Sequence, residues 1–253
     1  MFQQARNTVC MAAGLAITTT ASAQLTDYSQ DFESLDRTVF SALTDDGWLT
    51  FGGGIDNPTD RNFAYTFGPF GTPNDIANPF QAVISDVPSG GDPPAGSQGL
   101  VILSDYNSDS HQVPDGLDLL LAIFQQQTIG AGDVGKTVTF EYLVDGNATP
   151  PSGNAVAEAF ILALDSEFFF EIAADVNDTT SVADGDLLTQ AVSLTITNDM
   201  VGDILQFGFR SIASDFEGSA VDYDNLVFTV PEPASIGLAA AGLLALSLRR
   251  RGK

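Results

Sequence analysis

Short runs in which apolar and polar residues alternate one for one constrain this chain more than anything else in it. In Thr137–Val144, Val138, Phe140, Tyr142 and Val144 fall on one face, with Thr137, Thr139 and Glu141 on the other. Ala191–Thr197 sets Val192, Leu194 and Ile196 against Ser193, Thr195 and Thr197, and Ile204–Arg210 sets Leu205, Phe207 and Phe209 against Gln206, Gly208 and Arg210. A period of two belongs to a strand with one dry and one wet face, the usual condition of antiparallel sheets. Phe63–Phe67, Gln98–Leu103, Val156–Leu164 and Phe168–Ile172 read as further strands, with the rings of Phe168, Phe169 and Phe170 expected in the core. Leu117–Phe124 is apolar almost throughout, and its length and the preceding Gly116 favour a central strand over a helix. Turn residues punctuate the rest: Gly52-Gly53-Gly54, Pro88 to Pro94, Asp145-Gly146-Asn147 and Pro150 to Gly153. No amphipathic pattern of helical length occurs, which disfavours parallel βαβ folds. The expected fold is all-β, two packed antiparallel sheets forming one sandwich domain over residues 24–229.

Charge narrows the function classes. The chain has 33 acidic and 9 basic residues. Five of the basic ones, Arg6, Arg249, Arg250, Arg251 and Lys253, lie at the two ends, leaving the body only Arg37, Arg61, Lys136 and Arg210. Phosphate recognition needs a basic footprint, so nucleic acid and anionic lipid are poor partners for such a surface. The acidic excess instead suits solubility in a salty exterior, with divalent cation capture as the alternative.

The two ends read as addresses. Arg6, the apolar stretch Val9–Ile17 and the Ala21-Ser22-Ala23 cleavage site before Gln24 have the layout of a secretory signal peptide over residues 1–23, implying Sec export. The single cysteine, Cys10, leaves with it, so the mature body has no disulfide and no thiol nucleophile. At the other end, residues 230–253 hold Val230-Pro231-Glu232-Pro233, an apolar run from Ala234 to Leu248, and the cluster Arg249-Arg250-Arg251. This succession resembles the PEP-CTERM sorting signal of Gram-negative bacteria. The resemblance implies recognition and processing by a membrane-embedded exosortase, with delivery to the cell surface or an exopolysaccharide matrix such as a biofilm. The apolar run falls short of the ~20 residues that cross a bilayer comfortably. It is expected to form a short transmembrane helix inserted transiently in the inner membrane, the arginines held on the cytoplasmic side.

The body carries a second resemblance. Asp31-Phe32-Glu33 opens it, Gly135 to Phe140 and Gly202 to Phe209 follow, and Val221-Asp222-Tyr223-Asp224-Asn225-Leu226-Val227-Phe228 closes it. The series is similar to the jelly-roll modules of the galactose-binding-like and carbohydrate-binding families. That resemblance implies a structural Ca²⁺ between first and last strands, held by Glu33 and Asp224 with Asp31 and Asp222 as neighbours. Such a donor set suits the six to eight hard oxygens that Ca²⁺ takes. It also implies glycan binding through exposed rings, for which Trp48, Tyr65, Phe70 and Tyr106 are the candidates because they fall in or near Gly- and Pro-rich stretches.

Catalysis finds little footing. His111 is the only histidine and follows Asp109 and Ser110 in a polar stretch, and no Gly-x-Ser-x-Gly elbow exists. Carboxylates for glycoside hydrolysis abound, yet no pair is singled out by spacing. The acidic stretches Asp175–Asp186 and Ser104–Asp118 fail the Gly and Glu positions of an EF-hand loop. The sequence therefore points to an exported, non-catalytic, glycan-binding sandwich. A calcium-dependent structural or adhesive matrix protein and a glycan-active hydrolase or lyase are the alternatives.

Overall fold

A computed structural model describes residues 24–55, 63–75, 82–86, 93–103, 117–145, 156–167, 170–180, 182, 186–213 and 220–232. The strands are β1 (Tyr28–Gln30), β2 (Leu49–Ile55), β3 (Phe63–Gly71), β4 (Ala82–Ser85), β5 (Gly99–Leu103), β6 (Asp118–Thr128), β7 (Thr137–Asp145), β8 (Val156–Leu164), β9 (Glu171–Asp178), β10 (Leu187–Thr195), β11 (Ile204–Ala213) and β12 (Ala220–Thr229). One short helix, α1 (Ala42–Asp45), lies between β1 and β2. Two six-stranded sheets form, both antiparallel: β10-β7-β12-β5-β4 with β1 added to β12, and β3-β2-β6-β11-β8-β9. From β5 onward the chain mostly crosses from one sheet to the other at each connection, as a jelly roll does.

The alternating runs supply the core between the sheets. Val138, Phe140, Tyr142 and Val144 of β7 face Leu205, Phe207 and Phe209 of β11, and Tyr223 and Phe228 of β12 join them. Phe207 stacks on Phe228 at 4.1 Å between ring centroids, and Phe209 on Tyr223 at 3.7 Å, so the rings of one sheet lock into those of the other. Leu117–Phe124 was rightly expected to be central: β6 sits between β2 and β11 and is buried on both faces, Ile123 on one and Leu120, Ala122 and Phe124 on the other.

Two local expectations fail. Gly52-Gly53-Gly54 is no turn but the middle of β2. A Cβ on Gly52 would stand 2.6 Å from the Phe67 ring and 2.7 Å from the Leu120 carbonyl, and one on Gly54 only 2.5 Å from Tyr65, so glycine is what lets the neighbouring strands and rings close in. The expected strand Phe168–Ile172 holds only for its last two residues, Glu171 and Ile172, which begin β9. Asp165 and Phe170 close a turn through an Asp165 N–H to Phe170 carbonyl bond, β9 begins at Glu171, and Phe170 is 57% exposed rather than in the core. Phe168 and Phe169 lie outside the described residues.

The expected transmembrane helix is corrected as well. Among the described residues no helix is long and apolar enough to cross a membrane. The run Ala234–Leu248 that was to form it lies outside them, and it is shorter than the ~20 residues a span requires. The signal peptide with Ala21 and Ala23, and the motif residues Pro233, Arg249, Arg250 and Arg251, are also outside the described residues; Gln24 is exposed at their border.

Candidate functional site

The acidic site expected near the chain ends is assembled by β1, β12 and the segment before β5. After β1 the chain turns through Phe32, whose positive φ of 58° drives its ring into the core while Asp31 and Glu33 point outward. The Gln30 side-chain oxygen fixes the turn by accepting from the Phe32 N–H at 2.7 Å. On β12, Val221 and Tyr223 face the core, so Asp222 and Asp224 take the outer face of their sheet. A register shift between Asp224 and Val227, with Asn225 at φ 49°, lets the Asn225 N–H donate to the Asp224 carboxylate at 2.6 Å.

Glu33 and Asp224 then grip the segment Ala95–Gln98 from two sides. Glu33 Oε1 accepts the N–H groups of Ser97 at 2.6 Å and Gln98 at 3.0 Å, and its Oε2 accepts the Ser97 hydroxyl at 2.5 Å. Asp224 Oδ2 accepts the Ala95 N–H at 3.0 Å. Gly96 adopts φ 63° and a Cβ there would lie 2.1 Å from Glu33 Oε1, so the grip requires glycine at that position. Ser97 and Gln98, by donating to Glu33, hold its carboxyl below the usual range. Asp224 moves the other way: burial pushes it up to about 6, against the bonds from Asn225 and Ala95 and with help from the charges of Glu33 and Asp31.

Of the four expected metal ligands, the structure thus brings Asp31, Glu33 and Asp224 into one electrostatic neighbourhood and sets Asp222 against a different partner. Asp222 stands directly across from Asp145 of β7, it is 4% exposed, and its Oδ1 accepts no hydrogen bond. Burial, with the charge of Asp145 added, pushes its carboxyl up to about 7. Hard oxygens are the right chemistry for Ca²⁺, but among the described residues no group of three acidic side chains is placed to hold a metal ion. Backbone N–H groups of the 95–98 segment already occupy much of what Glu33 and Asp224 offer. The donor set fits the ion in type and only in part in arrangement.

The aromatic candidates separate cleanly. Trp48 is fully buried, meets Tyr28 edge-on at 6.2 Å, and donates its indole N–H to Asp46 at 3.1 Å, so it is a core residue and not a stacking platform. Tyr65 and Phe70 are 40% and 43% exposed on β3, the edge strand of its sheet. Phe67 stacks near Phe70 at 6.3 Å, and Phe63 meets Phe51 edge-on at 5.5 Å. A register irregularity after Gly54 puts Phe63 beside Gly53 while Tyr65 and Phe67 lie over Gly54 and Gly52. Phe63 and Phe67 were missed as surface rings, although the alternation within Phe63–Phe67 was the signal. Tyr106 and His111 lie outside the described residues.

The last described residues, Pro231 and Glu232, leave the body directly after β12. A family model described as the PEP-CTERM protein-sorting motif matches residues 229–251, so the tail carries that motif. No curated protein matches the chain in sequence. Among solved structures the chain is similar to a carbohydrate-binding module of the β-sandwich superfamily, at 14% identity over 72% of this chain and 57% of that one, with a TM-score of 0.39. It thus spans little more than half of that protein. A cyclase from Fischerella sp. TAU is similar at 16% identity over 82% of this chain and 100% of its own, with a TM-score of 0.42. The K1 cleaved adhesin domain of Lys-gingipain from Porphyromonas gingivalis W83 is similar at 13% identity, 82% and 99% coverage and a TM-score of 0.37. Likenesses this distant carry no argument about what the body does.

Proposed function

We propose that the protein is exported through Sec in a Gram-negative bacterium, processed by an exosortase, and delivered to the cell surface or exopolysaccharide matrix. There its sandwich serves as a non-catalytic module that binds glycan. The observation that carries the targeting half is the sorting motif over residues 229–251, beginning on the last residue of the final strand. Support for the binding half is the row of half-exposed rings along β3, Tyr65 and Phe70 above all, on a strand that the glycines of β2 let pack close. Mass spectrometry of the exported protein, from hosts with and without exosortase, tests the first half. An intact C-terminus at Lys253 in both hosts would refute it. A glycan array probed with the exported protein tests the second half, with Tyr65→Ala and Phe70→Ala as controls. No retained sugar, or retention indifferent to both substitutions, would reject binding and leave targeting untouched.

A second reading, a Ca²⁺-dependent structural or adhesive role, is favoured by one feature. Asp224 is buried beside Glu33 and Asp31, whose charges oppose its own ionisation, and a dication would relieve all three. Under this reading Glu33 and Asp224 hold the ion, with Asp31 and neighbouring carbonyls completing its shell. The melting temperature of the full chain should then rise in millimolar Ca²⁺ relative to chelator, and Asp224→Asn should abolish the rise. Equal melting in Ca²⁺ and chelator would remove this reading.

A further inference from the structure

Both chain ends leave the sandwich at the same pole, and a continuous set of hydrogen bonds ties them to three loops there. The Val230 N–H donates to Asp27 Oδ1 at 2.7 Å, immediately before Pro231-Glu232 leave the body, and Val230 packs on the core. Next to Asp27, Thr26 exchanges bonds with the Gln127 side chain at 2.8 and 3.0 Å, and the Leu25 N–H reaches Asp133 at 2.9 Å. The loop after β6, which holds Asp133, bonds to the loop after β10 through Ile129, Gly135, Ile196, Gly202 and Asp203. Asp203 Oδ1 in turn accepts the Ser166 N–H of the turn after β8 at 3.1 Å. Each of these three loops exposes one large apolar side chain: Val134 at 40%, Phe170 at 57% and Val201 at 39%.

This arrangement has a steric consequence. A chain spans at most ~3.6 Å per residue, so the motif opening at Val230 stays within a few ångströms of the pole. An enzyme that reads it must touch the folded body. We propose that the enzyme processing the sorting tail docks on this pole, with Val134, Phe170 and Val201 as its apolar contacts, and so recognises a folded surface as well as a linear motif. The proposal rests on the reading of the tail as an exosortase substrate. The loops and body ends that meet at this pole also carry Asp27, Asp165, Glu167, Asp199, Asp203 and Glu232. That acidic character disfavours an anionic bilayer as the occupant and suits a protein surface bearing cationic groups around an apolar patch.

Pulse–chase in a host carrying exosortase, following the mass loss of the full chain, tests the proposal. The triple variant V134D/F170D/V201D should be processed at least about tenfold more slowly. An insertion after Val230 of about eight residues, Gly and Ser ending in a second Thr-Val so that Thr-Val-Pro-Glu-Pro stays unbroken, should slow processing similarly, because it moves the intact motif up to ~28 Å from the pole while leaving every body contact in place. L187D/L188D, which alters exposed leucines at the start of β10 on the opposite pole, should be processed at the normal rate. Where the triple variant and the insertion disagree, the insertion decides, since it leaves the body unaltered. Normal processing of the insertion variant would overturn docking on the pole and spare the exosortase reading. A wild-type chain left unprocessed would overturn both. Flotation of the wild-type protein with vesicles, lost in the triple variant, would assign the patch to lipid and also overturn the proposal.

Discussion

Asp133 offers the sharpest test of how the body is held together. It is fully buried, and its Oδ2 accepts the N–H groups of Leu25 and Gly130, both at 2.9 Å, while its Oδ1 takes the Lys136 ammonium at 2.8 Å. Lys136 is itself buried. Asp133→Asn keeps the shape and removes the charge, and it also creates a conflict that rotation cannot cure. With the amide oxygen towards the two N–H groups, its NH₂ faces an ammonium; turned over, the NH₂ faces two amide donors. Removing one partner of a buried pair costs about 3–5 kcal/mol, which at roughly 2–4 °C per kcal/mol for a body of this size lowers Tm by about 6–20 °C. Lys136→Met removes the competing donor, so the double variant Asp133→Asn, Lys136→Met should recover at least about 1 kcal/mol relative to Asp133→Asn alone. Urea unfolding of the four proteins measures the cycle. A loss below about 1 kcal/mol for Asp133→Asn, or simple additivity in the double variant, would refute the account. Hydrogen exchange at the Leu25 amide should quicken in Asp133→Asn, because that N–H loses its acceptor.

Three further outcomes follow from the geometry. Asp222, pushed up to about 7, keeps its proton in the folded state where the unfolded chain, with a value of about 3.9, has lost it, so stability falls as pH rises from about 4 to about 7 and is level above. Asp222→Asn should therefore stabilise by about 1–3 kcal/mol at pH 8 and hardly at all at pH 4, in urea unfolding with chelator present; equal effects at the two pH values would count against it. Gly96→Ala should destabilise by about 1–3 kcal/mol, since its Cβ strikes Glu33 and its φ is positive, and a neutral result would show that the grip on the 95–98 segment is slack. Asp46→Ala deprives the Tyr28 hydroxyl, the Gln30 amide and the Trp48 indole of one shared acceptor, and should cost about 2–4 kcal/mol with a shift in Trp48 fluorescence; a loss under about 1 kcal/mol would contradict it.

What could be read of the fold was what the chain encodes locally. A strand such as Thr137–Val144 announces itself because each residue's burial follows its own parity along β7, so neighbours in sequence suffice to find it. β2 was hidden because its glycines answer to Leu120 and Tyr65, residues that only the folded sheet brings near. The expectation that Phe170 lies in the core failed for a related reason. Composition there favours a strand, but Asp165 accepts the Glu167 N–H and its own N–H meets the Phe170 carbonyl, and that turn places Phe170 outside the sheet. Local preference loses wherever a turn bond or a cross-strand neighbour sets the backbone.

The same distinction separates what the two ends reveal from what the body reveals. A sorting signal is read as a linear string, so Val230-Pro231-Glu232-Pro233 with its apolar run and arginines is complete in the sequence, and the motif match covers that stretch. A site in a sandwich is assembled from strands far apart in the chain, as Glu33 and Asp224 meet across the 95–98 segment. Sequence could name both carboxylates, through a resemblance, but not that backbone N–H groups would already occupy much of their accepting capacity. Nor could it tell Asp222 from Asp224, two residues apart on one face, one directed to Asp145 and the other to Glu33. The pole fits between these cases. Its apolar side chains are scattered over Val134, Phe170 and Val201, yet the loops that expose them lie at the pole where β12 releases the motif. Under the docking proposal, a linear signal and a folded surface are offered to one partner together.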